Sequence, residues 1–319
     1  AAAEEAAQAE GFLCIRWRSR AEWEAHPQRA ALAAAPGVDF RPGPSGAAAP
    51  LRAPAGRAAL SGLRVLDLSR IIAGPMGGRA LAELGAEAIR VSAPDLPFVE
   101  GIVIDTGFGK RSAYADLNTA EGRETLAALV AEADVAIDGF RPGALAAKGF
   151  GREEMRALNP DLVHVSLSAF GEVGPWAGRR GYDTYVQAAT GFAAAGPDGA
   201  PQRLACQPLD YLTGCLVAFA AVRGLSERAE GRGGASADLS LARTAMWLWE
   251  TADAIGDDPA PPERNATWEK AREEGRLREM ESVYGALAAL APPYGFEEID
   301  ALWRRPPGRL GADAPRWSA

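Results

Sequence analysis

The stretch Leu63-Arg64-Val65-Leu66-Asp67-Leu68-Ser69-Arg70-Ile71-Ile72-Ala73-Gly74-Pro75-Met76-Gly77-Gly78 decides the fold. Arg64 to Leu68 is a strand-length apolar run, Ala73-Gly74-Pro75 is a turn, and a helix is expected from Met76 to Leu84. Strand, turn and helix in that order open a βα unit.

The pattern repeats outward. Ala88 to Ser92, Val135 to Ile137 and Leu162 to Leu167 read as further strands, with Ala120 to Ala131 and Arg152 to Leu158 as helices between them. That alternation predicts an α/β fold, a parallel sheet with helices on both faces. Ligands of such sheets sit beyond the carboxyl ends of the strands, so the loops Ser69 to Pro75, Asp138 to Gly143 and Ser168 to Gly178 should face one site. Farther along, Tyr182 to Ala195 and Tyr211 to Ser226 read as helices, Ala235 to Leu239 as a strand and Leu241 to Ala252 as a helix.

Around this body, residues 1–32 form a small packed unit in which Ser19 caps a helix and Glu22 answers it. Residues 33–60 are rich in Ala, Pro and Gly and read as a linker, because so few large apolar groups cannot offset ordering entropy. The main domain runs over 61–256, followed by an irregular, Pro-rich tail, 257–319, with one charged helix near Thr267 to Tyr284.

With 319 residues, 48% of them hydrophobic, the chain can bury a full core. Its net charge of -8 argues against nucleic acid and anionic membrane as partners. Cys14, Cys206 and Cys215 have no CxxC pairing, and His26 and His164 are the only imidazoles, so neither a disulfide framework nor a zinc site is expected. The apolar run Leu212 to Val222 falls short of the ~20 residues a bilayer needs. No signal-peptide core is visible near the start, which points to the cytoplasm. The chain opens on Ala1 rather than Met, which suggests a piece of something longer.

Ala73-Gly74-Pro75-Met76-Gly77-Gly78 opens a helix, where unpaired backbone N–H groups could receive a phosphate, but its glycines do not spell GxGxxG. Gly107-Phe108-Gly109-Lys110-Arg111-Ser112 imitates a P-loop and fails it, since Ile104 stands at the first glycine and Arg111 divides lysine from serine. Lys110 and Arg111 still suit a phosphorylated ligand, although such a pair is more often a solvated surface. There is no GxSxG elbow, so any nucleophile must be a carboxylate. Asp210, in Gln207-Pro208-Leu209-Asp210-Tyr211-Leu212-Thr213-Gly214, reads either as a helix N-cap or as a reactive group among free N–H donors.

Taken in order, Leu63 to Arg70 with Ala73-Gly74-Pro75, Leu84-Gly85-Ala86 before Ile89-Arg90-Val91, Gly109 to Ser112 before Asp116-Leu117, Phe140-Arg141-Pro142-Gly143, Asn159-Pro160-Asp161, Ser168-Ala169-Phe170-Gly171, Gly181-Tyr182-Asp183 and Ser240-Leu241 resemble the class III CoA-transferases of the CaiB/BaiF type. The resemblance covers roughly residues 61–250. It implies a Rossmann-like parallel sheet plus part of a smaller domain, with coenzyme A or acyl-CoA as substrate and no permanently bound cofactor.

The same resemblance makes Asp210 the nucleophile. It would attack the thioester to give a mixed anhydride, then an aspartyl-CoA thioester, and pass CoA to a carboxylic acid acceptor. It places Ala73, Gly74, Pro75 and Arg90 at the nucleotide half of CoA, with Phe140 and Lys148 continuing that pocket. Ala147 stands where relatives often carry an arginine, and Lys148 beside it would be a point charge in its stead. Tyr182 occupies the place of the histidine base of related acyl-CoA racemases, which disfavours that chemistry. An acyl-CoA racemase or isomerase, with Asp183 and Asp210 carrying protons, and an inactive CoA-binding scaffold are the alternatives. Glu22 to Gln28 looks like the end of the family's small domain. A homodimer, or association with a missing upstream segment of the same protein, is therefore expected.

Overall fold

In the computed structural model, residues 2–46, 49–52, 57–195, 200–204, 206–256, 268–292 and 302–318 are described, with 295 and 297. The helices are α1 (Ala2–Ala9), α2 (Arg20–Glu24), α3 (Pro27–Ala33), α4 (Ala73–Glu83), α5 (Glu100–Gly107), α6 (Ala120–Glu132), α7 (Arg152–Leu158), α8 (Asp183–Thr190), α9 (Pro208–Ala229), α10 (Leu241–Ile255) and α11 (Trp268–Glu273). The strands are β1 (Asp39–Arg41), β2 (Arg64–Leu68), β3 (Glu87–Ser92), β4 (Lys110–Tyr114), β5 (Val135–Asp138), β6 (Val163–Ser168), β7 (Ala194–Ala195), β8 (Pro201–Gln202), β9 (Ser236–Ser240), β10 (Leu277–Ser282) and β11 (Gly285–Leu290).

Seven strands make the main sheet in the order β1-β9-β6-β5-β2-β3-β4, parallel throughout except for β1. Alternate strand residues face opposite sides. Val65, Ala88 and Val135 pack with Leu81 of α4 and Val217 of α9, whereas Leu66, Ile89 and Ala136 pack with Leu126 of α6 and Met155 of α7. The expected α/β sheet, covered on both faces, is what the chain forms. From β2 the chain winds one way through β3 and β4, then restarts on the other side with β5. The loops after β2 and β5 therefore diverge at the switch point, where a crevice opens.

Two glycine contacts fix how α4 and α9 meet. A Cβ on Gly77 would lie 2.5 Å from Val217, and one on Gly214 would lie 2.7 Å from the Met76 Cβ and 2.8 Å from the Ala73 carbonyl oxygen. The two helices thus approach backbone to backbone, which carries the first turn of α9 to the first turn of α4. By length and composition α9 could cross a membrane, and it is longer than the apolar run suggested, but half of its apolar window is buried in this fold.

Several expectations are corrected. Residues 39–41, read as linker, form β1, which pairs antiparallel with β9 and adds an ion pair from Arg41 to Asp238 at 2.5 Å. A short strand there covers an edge that would otherwise leave ladder groups unpaired. Residues 47, 48 and 53–56 of that linker lie outside the described residues, as do 257–267 of the tail. The charged helix expected near Thr267 to Tyr284 is short α11 followed by the β10–β11 hairpin. The tail also packs on the core, with Trp317 buried and its indole donating to the Leu129 carbonyl at 3.1 Å. The opening segment sits on its own chain. The buried Gln28 amide donates to the carbonyls of Phe170 and Val173 at 2.7 and 2.8 Å and accepts from the Trp176 N–H at 2.7 Å.

Candidate active site

Asp210 is not the cap of α9. Gln207 holds that position without a side-chain hydrogen bond, and Asp210 is in the first turn, only 5% exposed. Among the described residues no donor reaches its carboxylate. Its backbone N–H donates to the carboxylate of Asp183 at 2.9 Å. Burial, and secondarily the like charge of Asp183, pushes the Asp210 carboxyl up to about 7. Asp183 is raised as well, chiefly by burial, although the N–H groups of Asp210 and Leu209 and the Gln187 amide favour its charged form.

Asp210 lies on a wall shared by two cavities of opposite character. On one side, Arg70, Arg141, Arg179 and Arg180 line a cavity with Ala73, Phe140 and Tyr182. On the other, Ile71, Ile72, Ile102, Tyr182 and Tyr211 line one of about 350 Å³ together with Asp105 and Asp183. Ile71, common to both, has φ 67, in the left-handed region that costs a β-branched residue on the order of 1–3 kcal/mol. This strained residue sits in the β2–α4 turn and lines both spaces.

Beyond the arginine-lined cavity the crevice continues over the sheet edge. Arg90 lines a narrow gap with Arg70 and Ser92, and Ser92 and Phe140 also line an apolar pocket that ends at Lys148. Arg90 is buried, and among the described residues it forms no ion pair and its Nη1 has no partner. Lys148 donates to Asn118 at 2.7 Å.

Of the residues singled out from the sequence, Asp210, Tyr182, Ala73, Arg90, Phe140 and Lys148 therefore share one run of cavities. Gly74 and Pro75 are buried behind it in the first turn of α4. Lys110 and Arg111 are elsewhere. Lys110, 3% exposed, gives its ammonium to Asp67 at 2.7 Å and to the Pro75 carbonyl at 2.8 Å. Arg111 is held by Glu87 at 2.9 Å and by the carbonyls of Arg316 and Ala314. Both stand in β4, so the stretch resembling a phosphate loop is the end of a helix and the start of a strand, and neither cation is available to a phosphate there. Lys110 instead ties β2 and β4 to the α4 turn. Sequence reasoning missed Arg70, Arg179 and Arg180 as site residues. The adjacent arginines just before Gly181-Tyr182 were the available signal.

A doubly wound sheet with two neighbouring buried carboxylates, Asp183 and Asp210, beside an arginine-lined crevice at its switch point defines the class. The model of CoA-transferase family III matches residues 60–269, and the chain belongs to that family. A succinate–glutarate CoA-transferase of Agrobacterium fabrum is 37% identical over 202 residues, 57% of this chain and 50% of the relative. The chain spans about half the length of the curated relatives it matches first. Among solved structures, a CaiB/BaiF family protein from Brucella suis is 32% identical, with a TM-score of 0.56 over 72% of this chain and 65% of that one. The hypothetical protein Rv3272 of Mycobacterium tuberculosis, 22% identical, has the same fold with a TM-score of 0.69 over 82% of this chain and 98% of that one.

Proposed function

We propose that the protein moves CoA from an acyl-CoA to a carboxylic acid, with Asp210 as the covalent carrier. The observation that carries this is the Asp210 carboxylate itself. It is buried, has no hydrogen-bond donor among the described residues, and lines both cavities. A desolvated carboxylate is a stronger nucleophile than a hydrated one.

In the first step an Asp210 oxygen attacks the thioester carbonyl, the C–S bond breaks, and CoA leaves as thiolate, giving an acyl-aspartyl anhydride. The thiolate then attacks the aspartyl carbonyl, releasing the donor acid and leaving an aspartyl-CoA thioester. An incoming carboxylate displaces the thiolate to form a second anhydride. Attack of the thiolate on its acyl carbon releases the new acyl-CoA and free Asp210. No external base takes part, and donors to the developing oxyanion, each worth about 3 kcal/mol, supply much of the rate. The N–H groups of Ala73 and Gly74, which carry no acceptor among the described residues, lie at the α4 end of the same crevice.

The nucleotide of CoA fits the Phe140–Lys148 pocket, and Arg70 and Arg90 lie where its phosphates would pass toward Asp210. Asp183 speaks against the racemase alternative, since its carboxylate is 1% exposed and already occupied by backbone N–H groups and by Gln187. The test is the purified protein mixed with acyl-CoA. A CoA-mass adduct on the Asp210 peptide is expected, and an Asp210→Ala variant that still transfers CoA would remove the reading. The working assembly belongs to the same proposal: a homodimer in the cytoplasm, with no nucleic acid or membrane partner.

A further inference from the structure

The two sides of Asp210 differ in charge, and the difference bears on which acyl group the enzyme takes. Every arginine at the site lines the cavity side that continues to Arg90 and Lys148. Among the described residues, no lysine, arginine or histidine lines the cavity of about 350 Å³ on the other side. That volume lies at the low end of the range for small-molecule sites, about 300–1,000 Å³.

Its two other carboxylates are already satisfied. Asp105 accepts from Arg79 and from the Tyr211 hydroxyl, both at 2.9 Å. The Tyr211 phenol, pushed up to about 12 chiefly by burial, keeps its proton for that bond. Asp183 is filled by backbone N–H groups and by the Gln187 amide. The wall therefore needs no cation from a ligand, and it offers a ligand anion none. What remains for a ligand is uncharged and mostly apolar: Ile71, Ile72, Ile102 and the two tyrosine rings, with Thr184 and Gln207 beside them.

We infer that this cavity receives the acyl group, and that it selects an uncharged, apolar acyl chain against one ending in a second carboxylate. The inference rests on Asp210 being the CoA carrier. A terminal carboxylate placed here would sit within a few ångströms of Asp105 and Asp183 with no free cation, and neutral donors such as Thr184 and Gln207 do not offset that repulsion. A neutral chain packs on the isoleucines and rings without that repulsion. This sets the protein apart from a relative named for succinate and glutarate.

Self-exchange of labelled acid into its own thioester tests the point without knowledge of the natural acceptor. Exchange of labelled butyrate with butyryl-CoA is compared with exchange of labelled succinate with succinyl-CoA, a pair differing only in the terminal carboxylate. We expect kcat/KM to favour the butyryl pair at least 10-fold. Ile102→Lys, or Thr184→Lys if the first variant does not fold, should narrow that ratio by 10-fold or more. Succinyl exchange equal to or faster than butyryl exchange would overturn the inference while leaving Asp210 as carrier. Exchange with neither thioester would overturn the carrier reading and this inference with it. A ratio unmoved by both lysine variants would assign the acyl group to the other cavity.

Discussion

The backbone N–H of Asp210 donates to the carboxylate of Asp183 at 2.9 Å, so the first turn of α9 is pinned by one buried acid while presenting another. One carboxylate is consumed as an acceptor, and the other is kept bare. Their proximity helps burial raise the Asp210 carboxyl to about 7.

A nucleophilic carboxylate must be ionised. Transfer should therefore rise with pH and level off above about pH 7, with the limb set by Asp210. Asp183→Asn keeps an acceptor for the N–H but removes the like charge, so the limb should move to lower pH. A single-turnover pH profile of both proteins checks this, and a limb that stays in place would assign the rise to another group.

Stability should move the other way. Because the folded carboxyl lies above its value in the unfolded chain, the native state holds a proton that the unfolded state releases between about pH 4 and 7, and stability is lost as pH rises through that window. Asp210→Asn carries no charge at any pH. It should melt at the same temperature as the parent near pH 4 and gain on the order of 4 kcal/mol, several degrees in Tm, above about pH 7. Calorimetry across that range reads the difference directly.

Lys110 and Asp67, 3% and 0% exposed, form a buried pair that supports the α4 turn through the Pro75 carbonyl. Lys110→Ala leaves the buried Asp67 carboxylate with only the Ser69 N–H and hydroxyl and no cation, and should cost roughly 3–5 kcal/mol. Lys110→Met combined with Asp67→Asn should recover most of that loss in urea unfolding. If Lys110 met CoA instead, both variants would weaken CoA binding without a matching loss of stability.

Gly214 permits the approach of α9 to α4 on which the place of Asp210 depends. In Gly214→Ala the new methyl would meet Met76 and the Ala73 carbonyl oxygen at 2.7 and 2.8 Å, so the helices must separate. Turnover should fall 10-fold or more while nucleotide binding at Phe140 and Lys148 changes little. Kinetics and CoA titration of the one variant separate the two effects.

How much of this was legible depended on whether local pattern or distant pairing fixes each element. The strands around Val65, Ile89 and Val135 announce themselves because both sheet faces are buried and each strand carries short runs of apolar residues at its centre. β4 does not, since Lys110-Arg111-Ser112 looks like surface until Asp67, Glu87 and Asp313 supply partners far away in sequence. β1 exists only because β9 offers an edge, and nothing in Asp39-Phe40-Arg41 alone predicts it. The β10–β11 hairpin is largely exposed, so the charged sequence of β10, Leu277–Ser282, shows no apolar alternation and imitates a helix. At the site, the order of motifs led to Asp210, Tyr182 and Arg90. The opposed characters of the two cavities arise from side chains on separate loops and helices and have no local signature.

The most direct test of the central claim follows the oxygen atoms. In the proposed sequence the acceptor carboxylate attacks the aspartyl-CoA thioester, and the bridging oxygen of the resulting anhydride stays with Asp210 when the thiolate leaves with the acceptor acyl group. Protein turned over with acyl-CoA and a carboxylate fully labelled with oxygen-18, then digested, should yield a peptide containing Asp210 that is heavier by one or two isotope substitutions. Fragmentation should place the label on the Asp210 carboxylate. Transfer that proceeds at full rate while that peptide stays unlabelled would contradict the account.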